Sequence, residues 1–314
     1  MNLKGFVQEN QPVLVFPGQG TQYIGMGADL ARDFPEAKLV FQEVDNALNQ
    51  NLSGLMFSGD IEELTQTQNA QPAIMAVSMA IFRILQKEWG TPFNKTISAV
   101  AGHSLGEYTA LCAADVLTLA DTAKLLRIRG LAMARACERL QGGMMALIGI
   151  NMKQAQEIAK QTEVYVANDN APGQIVLSGS LINLDRAKAL AEQLGVRKIV
   201  PLEVAGAFHS PLMQTAADAM AVLLNQIQFH RPIFPIYFNV TAERNVNLKS
   251  FASLLSQQIK GMVRWRELIQ NTCASHFVEC GPGTVLSGLI RRIVPDSEII
   301  SIGTSETLKR LLSE

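Results

Sequence analysis

Cysteine is scarce in this chain of 314 residues: there are four, Cys112, Cys137, Cys273 and Cys280, and no two form a Cys-x-x-Cys pair. A disulfide framework or a thiolate metal site therefore has no support, and the four read as buried structural thiols in a reducing cytoplasm. Neither sign of charge is in excess, with 27 Lys and Arg against 28 Asp and Glu and a net charge of -1. No stretch concentrates the basic residues, so there is no electrostatic footprint for nucleic acid. Long apolar runs are missing as well. Val13 to Phe16 is too short for the core of a signal peptide, and the longest apolar stretch, Ala73 to Leu85, contains Arg83 and cannot span a bilayer. Repeats, linkers and low-complexity segments are absent. What is present is enough apolar residue, 48% of the chain, to bury a sizeable core. That length suggests one large domain or a domain carrying an insert. The expectation is a soluble intracellular protein that binds neither nucleic acid nor membrane.

The chain opens on a short buried strand, Val13 to Phe16, followed by a Pro-Gly-Gln-Gly loop. A helical pattern runs from about Tyr23 to Leu48, broken near Phe34-Pro35, and another covers residues 70 to 88 with Pro72 in its first turn. Ile97 to Ala101 reads as a second strand, with helix resuming at Leu105. Strand, tight turn and helix in repetition predict a parallel sheet with covering helices. The rhythm then changes. Strands at Met144–Ile150, Val164–Ala167, Ile175–Ser178 and Val196–Val204 alternate with helices at Met152–Gln161 and Leu184–Leu194. An Asn-Asp-Asn-Ala-Pro-Gly turn separates the middle two strands. The β-α-β-β-α-β order is the ferredoxin-like pattern. The predicted organisation is a large α/β unit, 1–136 with 205–314, and a small inserted unit, 137–204.

Gly102-His103-Ser104-Leu105-Gly106 is a GxSxG sequence between a predicted strand and a predicted helix. Small flanking residues permit a sharp turn that projects the serine hydroxyl, and the helix behind it directs N–H groups and a partial positive charge at the same place. The motif alone also fits an ordinary structural turn. A nucleophilic serine needs a base, and only four histidines are available: His103, His209, His230 and His276. His103 adjoins the serine and should leave the turn on another side, in a structural role. His230 and His276 read as surface or satisfied positions. His209 follows the small unit's last strand, just before a helix that Pro211 opens, where it can face a cleft on rigid support. Spacing alone leaves His209 open between a general base and an ordinary histidine.

Taken together, the ordered motifs show a resemblance to a known family. They are FPGQGTQYIGMG at 16–27, TQNAQP at 67–72, GHSLGEYTAL at 102–111, IRG at 128–130 and NAPGQIVLSG at 170–179. GAFHSPLM at 206–213, QIKGMVRW at 258–265 and ECGPGTVLSGL at 279–289 complete the set. The chain resembles the malonyl-CoA:acyl-carrier-protein transacylases of fatty acid synthesis and the acyltransferase domains of polyketide synthases. The resemblance implies a hydrolase-like α/β domain with a ferredoxin-like insert and an active site in the cleft between them. It implies Ser104 as nucleophile, His209 as base, and the main-chain carbonyl of Gln258 as the group that orients the histidine. The oxyanion hole would be the backbone N–H groups of Gln19 and Leu105, in line with donors expected on the residue after the nucleophile and on an early loop. Arg129 matches the arginine that grips the free carboxylate of malonyl, a task suited to a planar fork. Phe208 matches the malonyl-selective pattern, and because one methyl is worth only about 1–3 kcal/mol, the selectivity it confers is partial. Met262 departs from the pattern, standing where the typical fatty-acid enzymes carry proline.

The implied reaction is a ping-pong transfer of malonyl from malonyl-CoA to an acyl carrier protein, with no metal or redox cofactor, by a monomer. Two other functions fit part of this pattern. A hydrolase of the same architecture would let water take the second step, but has no carboxylate for Arg129 to pair. A catalytically inert carrier-docking module would have no use for Ser104 and His209.

Overall fold

The structure, a computed structural model, describes residues 3–90, 95–138 and 141–313. Residues 139 and 140, at the expected start of the small unit, lie outside the described residues.

Among the described residues ten strands form two sheets: β1 (Val13–Phe16), β2 (Ala99–Gly102), β3 (Gly142–Ile148), β4 (Tyr165–Ala171), β5 (Gln174–Ser180), β6 (Lys198–Pro201), β7 (Ile236–Tyr237), β8 (Arg244–Asn245), β9 (His276–Cys280) and β10 (Glu298–Ile302). The large sheet has the order β10-β9-β1-β2-β7-β8, parallel except for the β7–β8 pair. Its central strand β1 is buried at all four positions. That follows from helices covering both faces of a parallel sheet, which lets Val-Leu-Val-Phe run without polar alternation. One face packs into the main core with Leu14, Phe16 and the helix Thr67–Trp89, and the other with Val13, Val15, Trp265 and Phe277. The small sheet is antiparallel in the order β4-β5-β3-β6, and its own core joins Met145, Leu147 and Leu177 to Ile158 and Leu184 of two helices. Both the parallel-sheet core and the separate antiparallel sheet agree with the expected fold class.

Several local expectations are corrected. The helix expected from Tyr23 begins at Ala28, because Gly25 and Gly27 take φ values of 95° and 81° and hold the preceding segment in turns. Pro72 lies one turn deeper than expected, since its helix starts at Thr67, where Asn69 Nδ2 donates to the Glu63 carbonyl and anchors the first turn. Asn168, Asp169, Asn170 and Ala171 belong to β4, leaving only Pro172 and Gly173 between the strands. Their turn-like composition is overridden by burial and tertiary partners. Asp169 ion-pairs with Arg266 at 2.8 Å, and its N–H donates to the Val263 carbonyl. The strand expected over Val196–Val204 is confined to Lys198–Pro201. Of the cysteines, Cys112 and Cys280 are buried, while Cys137 is half-buried and Cys273 exposed; all four are free.

The small sheet is tied at a definite seam to a loop and a helix of the large unit. Val263 N–H donates to the Ala167 carbonyl at 2.8 Å, and Arg292 donates to Gln174 Oε1 and the Pro172 carbonyl at 2.6 and 2.7 Å. This seam sets the small sheet over the end of β2, where the candidate site lies.

Candidate active site

Ser104 sits between β2 and the helix Leu105–Ala113, with φ 54° and ψ -111°. Few L-residues adopt such a backbone, and the turn is possible because its flanks are bare. A Cβ at Gly102 would lie 1.9 Å from the Gly106 carbonyl carbon, and one at Gly106 would lie 2.3 Å from the Phe16 oxygen. The two glycines of the motif therefore let strand, helix and β1 close onto one another.

His209 lies on the turn before the short 3-10 helix Pro211–Met213, and it too has a positive φ, 54°. Its N–H donates to the Ile259 carbonyl, and its Nδ1 is 2.8 Å from the Gln258 carbonyl oxygen, so Nδ1–H is the donor. That tautomer leaves Nε2 bare as an acceptor. Nε2 is 2.8 Å from Ser104 Oγ. Burial first, and then the nearby Arg129 charge, pull the histidine down from 6.5 to about 3, leaving it neutral at physiological pH. With Met262 in place of proline, the Gln258 carbonyl still lies within hydrogen-bond distance of His209 Nδ1.

Arg129, on the helix Leu119–Glu138, is 1% exposed. Its Nη1 donates to Gln71 Oε1 at 2.6 Å, and its Nη2 to Gln258 Oε1 at 2.8 Å and to Ser104 Oγ at 3.1 Å. The guanidinium also lies over the Tyr108 ring, 5.6 Å from its centroid. All of these partners are neutral. Glu107 is the acid that acts on Arg129 electrostatically, and burial raises its carboxyl from 4.5 to about 8. At neutral pH the arginine charge is thus solvated by amides and a ring and is not cancelled by a carboxylate. Its Nε has no acceptor among the described residues.

A cavity of about 170 Å³ opens over Ser104. Gln19, Leu105, Arg129 and His209 line its polar end, and Met133, Met144, Val176, Leu202 and Phe208 form an apolar wall. The N–H groups of Gln19 and Leu105 have no acceptor among the described residues. Of the seven residues singled out from the sequence, Ser104, His209, Gln19, Leu105, Arg129 and Phe208 line this one space, and Gln258 lies behind it, bonded to His209 and Arg129. His103 points away from Ser104 into the small sheet, with Nε2 2.9 Å from Asn170 Oδ1 and its ring against Trp265. The residues that sequence reasoning missed are Gln71, Glu107 and Asn239. Glu107 follows Ser104 by three positions, one turn of helix, and that spacing could have marked it. Nothing local marks the other two. No group of three or more His, Cys, Asp or Glu among the described residues is arranged to hold a metal, and no described helix is long and apolar enough to cross a membrane.

The fold and the constellation around Ser104 define a class, the α/β acyltransferases. Residues 13–299 match the acyl transferase domain family. A malonyl CoA-acyl carrier protein transacylase of Bacillus subtilis is 38% identical over 303 residues, 94% of either chain. The crystal structure of an acyl-carrier-protein S-malonyltransferase from Bartonella henselae superposes with a TM-score of 0.91 at 44% identity, covering 96% of this chain and 100% of that one. A malonyl-transacylase solved in complex with its type II PKS acyl-carrier protein superposes with a TM-score of 0.92 at 34% identity, covering 97% and 99%. The chain belongs to the acyl transferase domain family, within its group of malonyl CoA-acyl carrier protein transacylases.

Proposed function

We propose that this chain moves malonyl from malonyl-CoA to the phosphopantetheine thiol of an acyl carrier protein through a malonyl ester on Ser104. The observation that carries the reading is the buried, uncompensated guanidinium of Arg129, 3.1 Å from Ser104 Oγ. Burying a cation without a counter-charge is costly. A bound malonyl carboxylate would offset that cost and would set the thioester carbonyl beside the serine. An enzyme handling neutral acyl groups would have no such use for the charge.

In the first half-reaction Ser104 Oγ attacks the thioester carbonyl as its proton passes to His209 Nε2. The imidazolium so formed is held by its Nδ1–H bond to the Gln258 carbonyl. The developing oxyanion accepts from the N–H groups of Gln19 and Leu105. The C–S bond then breaks, and the coenzyme A sulfur takes the proton from His209. In the second half-reaction the carrier's thiol gives its proton to His209, and its sulfur attacks the ester carbonyl. The C–O bond to Ser104 breaks and the proton returns to Oγ. Every transfer uses groups of the chain and its two substrates. The relative solved with its carrier protein supports the second substrate. The reading assigns 1–136 and 205–314 to a unit that holds serine, histidine and arginine, and 137–204 to a unit that supplies part of the apolar wall. It places the enzyme in the cytoplasm, where it supplies extender units for fatty acid or polyketide synthesis.

Intact-mass measurement tests the proposal. The wild-type chain should gain one malonyl from malonyl-CoA and pass it to a holo carrier protein, and Ser104→Ala should gain none. Malonylation of the variant would place the nucleophile elsewhere. Release of malonate with the carrier unmodified would make the enzyme a hydrolase.

A further inference from the structure

The main chain at Ser104 is held where an L-residue seldom sits, and such a geometry persists only when its surroundings over-determine it. The residue that does most to hold it is Asn239, in the turn that follows β7. Its Oδ1 accepts the Ser104 N–H at 2.8 Å while its Nδ2 donates to the Gly102 carbonyl at 2.7 Å, so one amide grips both arms of the turn. Asn239 is held in its turn by Glu107, whose Oε2 accepts the Asn239 main-chain N–H at 2.5 Å. The N–H of Glu107 donates to the Ser104 carbonyl at 3.0 Å, which closes a ring of three residues. Asn239 and Glu107 are wholly buried, and neither lines the cavity.

The ring bears on the chemistry through one peptide plane. The Ser104 carbonyl and the Leu105 N–H belong to the same rigid peptide and point in opposite directions. The carbonyl is fixed from behind by Glu107 N–H and by Gln258 Nε2, the latter at 2.7 Å. The Leu105 N–H is thereby aimed forward. Rotation of ψ at Ser104 toward an ordinary value would swing this N–H away from the reacting carbonyl and move Oγ from His209 Nε2.

We propose that Asn239 and Glu107 are positioning residues for acyl transfer, which lock the Ser104 turn so that its hydroxyl and the Leu105 N–H face the acyl carbon together. The proposal rests on Ser104 as the nucleophile. Neither residue binds substrate, so their loss lowers the rate of ester formation and leaves recognition of malonyl-CoA in place. Glu107 acts as an acceptor, and a neutral amide should serve in its stead.

The test compares wild type with Asn239→Leu, Glu107→Ala and Glu107→Gln, all verified as folded by circular dichroism. Two readouts are used: kinetics with malonyl-CoA, and the rate at which a small fluorophosphonate labels Ser104. The probe carries neither carboxylate nor coenzyme A, so it reports on serine and oxyanion geometry alone. Asn239→Leu and Glu107→Ala should lose on the order of a hundred-fold in kcat and in labelling, as expected for a displacement of about 1 Å. KM should stay within about threefold, because uniform binding is untouched. Glu107→Gln should recover most of what Glu107→Ala loses. Should Asn239→Leu not fold, the two Glu107 variants decide alone. Labelling at the wild-type rate in folded variants, a rise in KM at unchanged kcat, or a Glu107→Gln enzyme as slow as Glu107→Ala would each overturn the proposal. A wild-type enzyme that the probe labels elsewhere than Ser104 would instead overturn the reading beneath it.

Discussion

Arg129 is bound to Gln71 by a 2.6 Å hydrogen bond from Nη1 to Oε1, and this acceptor is an amide where a carboxylate would fit equally well. The choice matters because the guanidinium keeps its charge for an incoming anion. The nitrogen of the same amide, Nε2, donates only to Met133 Sδ, at 3.6 Å, so little else depends on it.

Gln71→Glu should therefore fill the arginine's need for a counter-charge from within the protein. Malonyl-CoA would have to displace or share that pairing, and kcat/KM for it should fall by about ten- to a hundred-fold, or 1.4–2.8 kcal/mol. Acetyl-CoA, which brings no carboxylate, should fall far less. Steady-state kinetics with both donors decides the matter, and an equal loss for both would show Gln71 to be purely structural.

Arg129→Ala should reverse the donor preference. Malonyl turnover collapses because its carboxylate would be desolvated without a partner, while acetyl-CoA becomes as good a donor or better. Arg129→Lys should restore only part of the malonyl activity, since an ammonium is a point charge and cannot pair both oxygens in one plane. The comparison is kcat/KM for the two donors across the three enzymes. If the alanine variant loses both activities equally, Arg129 is structural.

The pH dependence of serine reactivity should show an acid limb well below 6.5. Burial, followed by the Arg129 charge, holds His209 at about 3, so the imidazole stays neutral through the physiological range. Removing the second cause should move the limb upward. Rates of fluorophosphonate labelling against pH, for wild type and Arg129→Gln, provide the measurement free of any need for malonyl binding. A wild-type limb near 6.5 would mean that water reaches the histidine.

Glu107 has a signature in stability with the opposite slope. Burial raises its carboxyl from 4.5 to about 8, so across pH 6.5 to 8 the folded chain holds a proton that the unfolded chain has released. Stability from this group is complete below the unfolded value and is lost as pH rises through the folded one, at up to about 1.4 kcal/mol per pH unit. Below 6.5 the depressed His209 works in the contrary sense, because the unfolded histidine takes up a proton there and the folded one does not. The window above 6.5 isolates the carboxyl. Urea melts of wild type and Glu107→Gln should diverge across it and run parallel above about 8, and parallel curves throughout would show that Glu107 is ionised in the folded state.

Much of this was legible in the sequence where the cause was local. The Ser104 turn could be read because strand, two glycines and helix lie within a few residues of one another, and steric exclusion at Gly102 and Gly106 acts over that range. The βαββαβ unit was legible for the same reason, as apolar periodicity in short segments. Asn168 to Asn170 misled, since three polar residues before Pro-Gly have the composition of a turn. Here they form a bulged strand whose side chains find His103 and Arg266.

Arg129 marks the boundary between the two kinds of information. On its own helix it reads as a solvated charge or a structural ion pair, and the resemblance to a family supplied its expected role, while its burial and its neutral partners are matters of packing. Strands β1 to β6, the helices between them and the sharp turn at Ser104 could be read from the chain alone, while β7 to β10 could not, because hydrophobic periodicity and backbone sterics are properties of neighbouring residues and speak clearly only where a segment's own pattern is strong. Which polar groups meet that serine is a matter of long-range packing, for His209, Asn239 and Gln258 reach it across 105, 135 and 154 residues of chain. Packing also decided their protonation, since burial and the charges around a group, more than its place in the chain, set the pKa.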